Sequence, residues 1–163
     1  MYKYITVIGS SRVINERIKN IAYSVGLELA KHNVILVCGG RGGVMEYAAK
    51  GMKDGGGKTI GILPGIDRGE ANPYIDIAIP TGLGHARNMI NILIGDGVIV
   101  VAGGPGTLTE IGYALIFGKR VIVIKGSGGV ADILADKVID GKKIYSAETP
   151  SQAVKMILAK EIY

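Results

Sequence analysis

Gly97-Val98-Ile99-Val100-Val101-Ala102-Gly103-Gly104-Pro105-Gly106-Thr107-Leu108-Thr109-Glu110-Ile111-Gly112 is the stretch from which the architecture of this chain follows. Val98 to Ala102 is a continuous, β-branched apolar run between turn signals, the mark of a strand buried on both faces. Gly103, Gly104, Pro105 and Gly106 turn the chain, and from Thr107 the residues Leu108, Ile111, Leu115 and Ile116 recur at helical spacing. The first N–H groups of a helix have no intrahelical acceptor, and the helix dipole adds partial positive charge there. A strand that runs through glycines into a helix start is therefore a phosphate site, with room for close approach.

The same order of strand, small residues and helix recurs upstream. Lys3 to Ile8 reads as the first strand, closed by Gly9-Ser10-Ser11, and helix 14–31 turns Ile14, Ile18, Ile21, Val25 and Leu29 inward. Val34 to Cys38 is the second strand, closed by Gly39-Gly40-Arg41-Gly42-Gly43 before helix 44–54. Lys58 to Leu63 is the third, Ile75 to Ile79 the fourth after a polar loop at 66–74, and a helix around 84–94 leads to the strand at Val98. Downstream come a sixth strand at Arg120 to Lys125, a short helix at 130–136, an edge strand at Lys142 to Tyr145 and a helix at 150–160. Parallel neighbours need crossovers, so this alternation predicts a three-layer α/β fold with a doubly wound, mostly parallel, Rossmann-like sheet. Residues 1–163 read as a single nucleotide-binding domain, with ligand expected at the carboxyl ends of the strands where the topology reverses.

Composition narrows the function. The 163 residues are 48% hydrophobic with 26 glycines, which suits one domain with a substantial core and many tight turns. The lone Cys38 has no partner for a disulfide and no metal-ligand spacing around it, which fits a reducing compartment. The chain opens on a strand-like run without a leader pattern and holds no apolar run of membrane-spanning length, so the expectation is a soluble cytoplasmic protein. The net charge of +5 comes from scattered Lys and Arg, adjacent only at Lys119-Arg120 and Lys142-Lys143, with few aromatics. That pattern argues against nucleic acid and for a mild field that draws small phosphorylated ligands.

Two familiar nucleotide motifs are absent. Gly9 is followed by Ser10, Ser11 and Arg12 rather than a Gly-x-Gly-x-x-Gly fingerprint, and no Gly-x-x-x-x-Gly-Lys-Ser/Thr occurs, which disfavours a standard dehydrogenase and a P-loop phosphotransferase. Glu110 stands three residues after Thr107, the spacing of a capping box, so it reads equally as a helix cap and as a functional carboxylate. Arg87 stands in the first turn of a helix, where a cation opposes the dipole, and so points to an anionic partner. Ser10 and Ser11 end a strand and also offer hydroxyls to phosphate or ribose, while His85, a lone histidine, reads as an exposed or satisfied residue sooner than as an acid or base. Met45 and Glu46 read as first-turn residues of the helix after Gly43.

Gly103 to Glu110 resembles the PGGxGTxxE motif of the Lonely Guy (LOG)-type family, long labelled "possible lysine decarboxylase". Gly39-Gly40-Arg41-Gly42-Gly43-Val44-Met45 is similar to the family's second glycine motif, Gly9-Ser10-Ser11 to its first turn and Arg87 to its arginine. The resemblance implies a Rossmann-like homodimer that hydrolyses the N-glycosidic bond of nucleoside 5′-monophosphates to free base and ribose 5-phosphate. It implies Arg87 and Glu110 as the catalytic pair, and a phosphate and nucleotide cradle of Gly9, Ser10, Ser11, Gly39, Gly40, Gly43, Met45, Arg87, Asn88, Gly103, Gly104, Gly106 and Thr107. No cofactor and no metal enter the expectation, and no pyridoxal-phosphate lysine motif supports the decarboxylase label. Ala102 stands where the motif has proline, Asn88 where lysine is common and Glu46 where glycine follows Met45. Gly-Gly-Val-Met-Glu and Ala-Arg-Asn are similar to a neighbouring subgroup that includes molybdenum cofactor carrier proteins, which bind a phosphorylated pterin on the same scaffold. A second acidic group for the hydrolysis is not assigned, Glu46 and Asp67 being the names at hand. Surplus apolar residues on the Arg87 and Glu110 helices, among them Met89, Ile90, Ile92, Leu93, Leu115, Ile116 and Phe117, support the expected dimer.

Overall fold

Runs of β-branched residues broken by glycine turns and helical periods build a parallel sheet, since each helix carries the chain back to start the next strand in the same direction. The structure is a computed structural model that describes residues 1–12 and 14–161. Its strands are β1 (Lys3–Gly9), β2 (Val34–Cys38), β3 (Lys58–Leu63), β4 (Ile77–Pro80), β5 (Gly97–Val101), β6 (Arg120–Ile124), β7 (Val138–Ile139), β8 (Lys142–Lys143) and β9 (Tyr145–Ala147). The helices are α1 (Glu16–Ala30), α2 (Val44–Asp54), α3 (Arg87–Ile94), α4 (Pro105–Ile116), α5 (Gly129–Leu134) and α6 (Pro150–Leu158). Among the described residues the main sheet has the order β4-β3-β2-β1-β5-β6-β9, all neighbours parallel, and β7 and β8 form a separate antiparallel ribbon.

Strand alternation divides the core into two layers. Ile99 and Val101 of β5 join Ile5, Val7, Leu36 and Cys38 against α1, α2 and α6. Val98 and Val100 face the other way and pack with Ile8, Ile92, Ile111, Ala114 and Ala131 against α3, α4 and α5. Helices thus cover both faces, as a strand apolar at every position requires. β1 and β5 are adjacent, but the chain winds from β1 toward β4 on one side and from β5 toward β9 on the other, so the switch point lies between them.

Four expectations are corrected in detail. The fourth strand is Ile77–Pro80, an edge strand with Ile77 and Ile79 exposed, while Ile75 packs on the core before it. The last sheet strand is Tyr145–Ala147, because Lys142 and Lys143 pair with Val138 and Ile139 instead. The Glu110 helix starts at Pro105, whose fixed φ and missing N–H suit the first helical position, so Thr107 is inside the helix and Gly104 is the cap. Its inward stripe is Thr107, Glu110, Ile111, Ala114 and Leu115, and Leu108 and Ile116 point outward at 50% and 69% exposure. The polar pair Thr107 and Glu110 faces inward because that end of the stripe borders a cleft.

Candidate functional site

The cleft opens at the carboxyl ends of β1 and β5 and has a volume of about 510 Å3. Gly9, Ser10 and Ser11 line it after β1, Gly39 after β2 and Gly103 to Thr107 after β5, so the three turns meet as the sequence implied. Met45, Arg87, Asn88 and Glu110 of the expected set also line it, with Asn91, His85, Arg12, Val7 and Ile8 beside them.

Close contacts tie the turns together. Val44 N donates to Ser10 O at 2.8 Å, and Gly103 N donates to Ser10 Oγ at 2.9 Å, so the first turn holds both of the others. A side chain on Gly9 would strike Val101 O and the Val44 side chain. Gly40 and Gly43 are outside the lining residues: Gly43, at φ 68°, caps α2 with its Cα against Ser10 O, and Gly40, at φ 77°, packs against Leu63. Both shape the second turn rather than face the cleft. No side chain caps α4 at Gly104, which leaves its first-turn N–H groups at the glycine turn for an anion.

Ala102 holds φ 52°, left-handed backbone for a non-glycine residue, and its N–H donates to Ser127 Oγ at 2.8 Å. Proline can neither adopt that φ nor make that bond, so the departure from the PGGxGTxxE motif has a local physical basis.

Below the turns lies a buried polar cluster on α3 and α4. Arg87 is 9% exposed: its Nε donates to Ile62 O at 2.8 Å, its Nη2 to Gly39 O at 3.4 Å, and its Nη1 to Asn88 Oδ1. Asn88 Nδ2 in turn donates to Thr109 Oγ1 at 3.1 Å. Gly39 has no side chain because a Cβ there would come within 2.6 Å of both Arg87 Nη2 and Met45 Sδ. Burial lowers the Arg87 pKa from its ordinary value, and the Glu110 charge acts in the opposite sense.

Glu110 is 8% exposed and accepts from Asn91 Nδ2 at 2.7 Å through Oε2, not from the Thr107 N–H, so the capping box does not form. Burial pushes its carboxyl up from 4.5 to about 7, against the Asn91 hydrogen bond and the Arg87 charge, which both favour the ionised form. A carboxyl poised near neutrality beside an arginine and an anion-binding turn can accept or deliver a proton at a bound phosphorylated ligand. Asp67 caps the short turn at Arg68–Glu70 by accepting from Gly69 N at 2.8 Å, and neither it nor Glu46 lines the cleft. Among the described residues no three His, Cys, Asp or Glu cluster as metal ligands, and no helix is long and apolar enough to cross a membrane.

The model of the SLOG cluster4 family matches residues 2–154. The chain belongs to that family. This SLOG protein is 30% identical over 123 residues to a probable cytokinin riboside 5′-monophosphate phosphoribohydrolase of Oryza sativa subsp. japonica, covering 74% of this chain and 54% of the rice protein. It is also similar to the solved molybdenum cofactor binding protein of Rippkaea orientalis, at TM-score 0.87 and 35% identity over 96% of each chain. The molybdenum cofactor carrier protein of Chlamydomonas reinhardtii matches at TM-score 0.87 and 36% identity, over 98% of this chain and 100% of that one. The SLOG protein is thus of LOG type, near the molybdenum cofactor carrier subgroup, as the motifs implied.

Asn91 is the residue that sequence reasoning missed. It stands four positions after Arg87, one helical turn on, and that spacing alone would have put it on the same face. His85, to which the sequence assigned no role, is exposed on the cleft wall.

Proposed function

We propose that this SLOG protein is a nucleoside 5′-monophosphate phosphoribohydrolase. The carrying observation is Glu110, buried beside the glycine turns with its carboxyl raised to about 7. The phosphate would sit against the N–H groups of Gly104, Gly106 and Thr107 with the Ser10 and Ser11 hydroxyls beside it. Arg87 would hold the ligand by phosphate or ribose oxygens and orient the scissile bond. In the reaction a water oxygen bonds to the anomeric carbon, and the carbon–nitrogen bond breaks with its electron pair leaving on the base. As a carboxylate Glu110 stabilises the ribosyl cation-like transition state by its negative charge; as the water bonds to the carbon it takes the water's proton and passes it to the departing nitrogen.

A second reading is a non-catalytic carrier of a phosphorylated ligand such as molybdenum cofactor. The observation that favours it is the near-complete overlap with the two solved molybdenum cofactor proteins, where the rice hydrolase is matched over about half its length. Both readings use the same phosphate cradle and differ at Glu110. Incubating the protein with AMP, GMP, CMP and UMP and measuring free base by chromatography separates them: release of base supports the hydrolase, and binding without release over hours supports the carrier.

The protein is further proposed to be a cytoplasmic homodimer. Met89, Leu93, Leu108 and Ile116 stand exposed on α3 and α4, the adjoining helices that also carry the cluster, and an apolar face of this kind pairs well with a second copy of itself.

A further inference from the structure

Asn91 is 1% exposed on α3, lines the cleft and projects from the same helix face as Arg87. Its backbone carbonyl accepts from Thr6 Oγ1 at 2.9 Å and its Nδ2 donates to Glu110 Oε2 at 2.7 Å, yet its Oδ1 has no hydrogen-bond partner although it is buried. An orphaned acceptor in an interior is costly, and a leucine of similar volume would fill the space without that cost, so packing gives no account of the amide. The amide orientation is fixed by electrostatics. Turned the other way, Oδ1 would face the Glu110 carboxylate, lone pair against lone pair, so Nδ2 must lie on Glu110 whenever that group is ionised. The acceptor is then directed away from Glu110 and left for a donor brought by whatever occupies the cleft.

We propose that Asn91 is the positioning residue of this site: its Nδ2 fixes the Glu110 carboxylate, and its Oδ1 accepts a hydrogen bond from the water that attacks the ribosyl carbon. The proposal rests on the hydrolase reading above. A water held by two acceptors, one Glu110 oxygen and Asn91 Oδ1, has both O–H bonds committed and turns its free electron pair toward the anomeric carbon. The proton on the Glu110 side is the one transferred; the Asn91 bond only orients, and no proton moves along it.

The test uses the full chain with Asn91→Leu and Asn91→Ser, the second keeping the question open to measurement should the first fail to fold by circular dichroism. Adenine release from AMP is followed from pH 5 to 9. The expected result is a fall in kcat of at least tenfold, a change in KM of less than threefold, and a move of the break near pH 7 to higher pH, because a bond that favours the ionised carboxyl is gone. A lower kcat with the break unmoved, or a loss that falls on KM, overturns the proposal, since a merely structural residue would act in that way. If the unaltered protein releases no base from AMP, GMP, CMP or UMP, the hydrolase reading fails and with it the oriented water. The hold on Glu110 is then decided by carbon-13 NMR titration of protein labelled at its glutamates: a higher Glu110 midpoint in the variants upholds it, and an unchanged midpoint removes it.

Discussion

Replacing Glu110 with Gln should make the protein more stable at alkaline pH while abolishing hydrolysis. The native chain holds the Glu110 carboxyl at about 7 where an unfolded chain holds it near 4.5, and burial is the first cause. The native state therefore binds this proton more tightly than the unfolded state does. Below about pH 4.5 both states are protonated and the contribution is fully favourable; as pH rises through 7 the native chain has to ionise a buried acid, and the contribution is lost. The difference amounts to about 3 kcal/mol above pH 8. Glutamine is nearly isosteric, its side-chain oxygen still accepts from Asn91 Nδ2, and it never ionises. Urea unfolding of both proteins at pH 4.5 and 8.5 isolates the effect, because every other titrating group is shared. The stability gain of Glu110→Gln should grow by about 3 kcal/mol between the two pH values, with kcat for any released base down by at least a hundredfold. A variant equally destabilised at both pH values would return Glu110 to a structural role.

Arg87→Ala should weaken AMP binding by at least tenfold in calorimetry, since a charge-assisted contact is lost, and an unchanged Kd would separate Arg87 from the ligand. Ala102→Pro should cost about 3 kcal/mol or more, because proline cannot take φ 52° or donate to Ser127, whereas Ala102→Gly should gain up to about 1 kcal/mol by relieving the left-handed backbone; urea midpoints check both. Sedimentation velocity at micromolar concentration should give twice 17.1 kDa for the unaltered chain and a monomer for Leu93→Glu with Ile116→Glu, and a monomer from the start would dismiss the dimer.

Short-range periods and turn chemistry are legible in the chain before it folds. β2 at Val34–Cys38 and α2 at Val44–Asp54 lie where the sequence put them, and continuous apolar runs ending in glycine foretold a parallel sheet with its turns on one edge. Gly9, Ser10, Gly39, Arg87, Gly103 and Glu110 could be assigned to one cleft because a doubly wound topology brings the carboxyl ends of β1 and β5 together whatever the side chains do. Which way α4 turns depends on packing across the fold, since Leu108 and Ile116 are as apolar as Ile111 and Leu115, and a cleft rather than a core takes the inward places of Thr107 and Glu110. Likewise Gly40 and Gly43 were indistinguishable from Gly39 until Leu63 and Ser10 packed against them. The meeting of Asn91 with Glu110, of Ser10 with Gly103 and of Arg87 with Ile62 spans 19, 93 and 25 residues, distances over which no local period carries information. The burial that raises the Glu110 carboxyl, and the Asn91 bond that opposes it, exist only once both layers of helices have closed on the sheet.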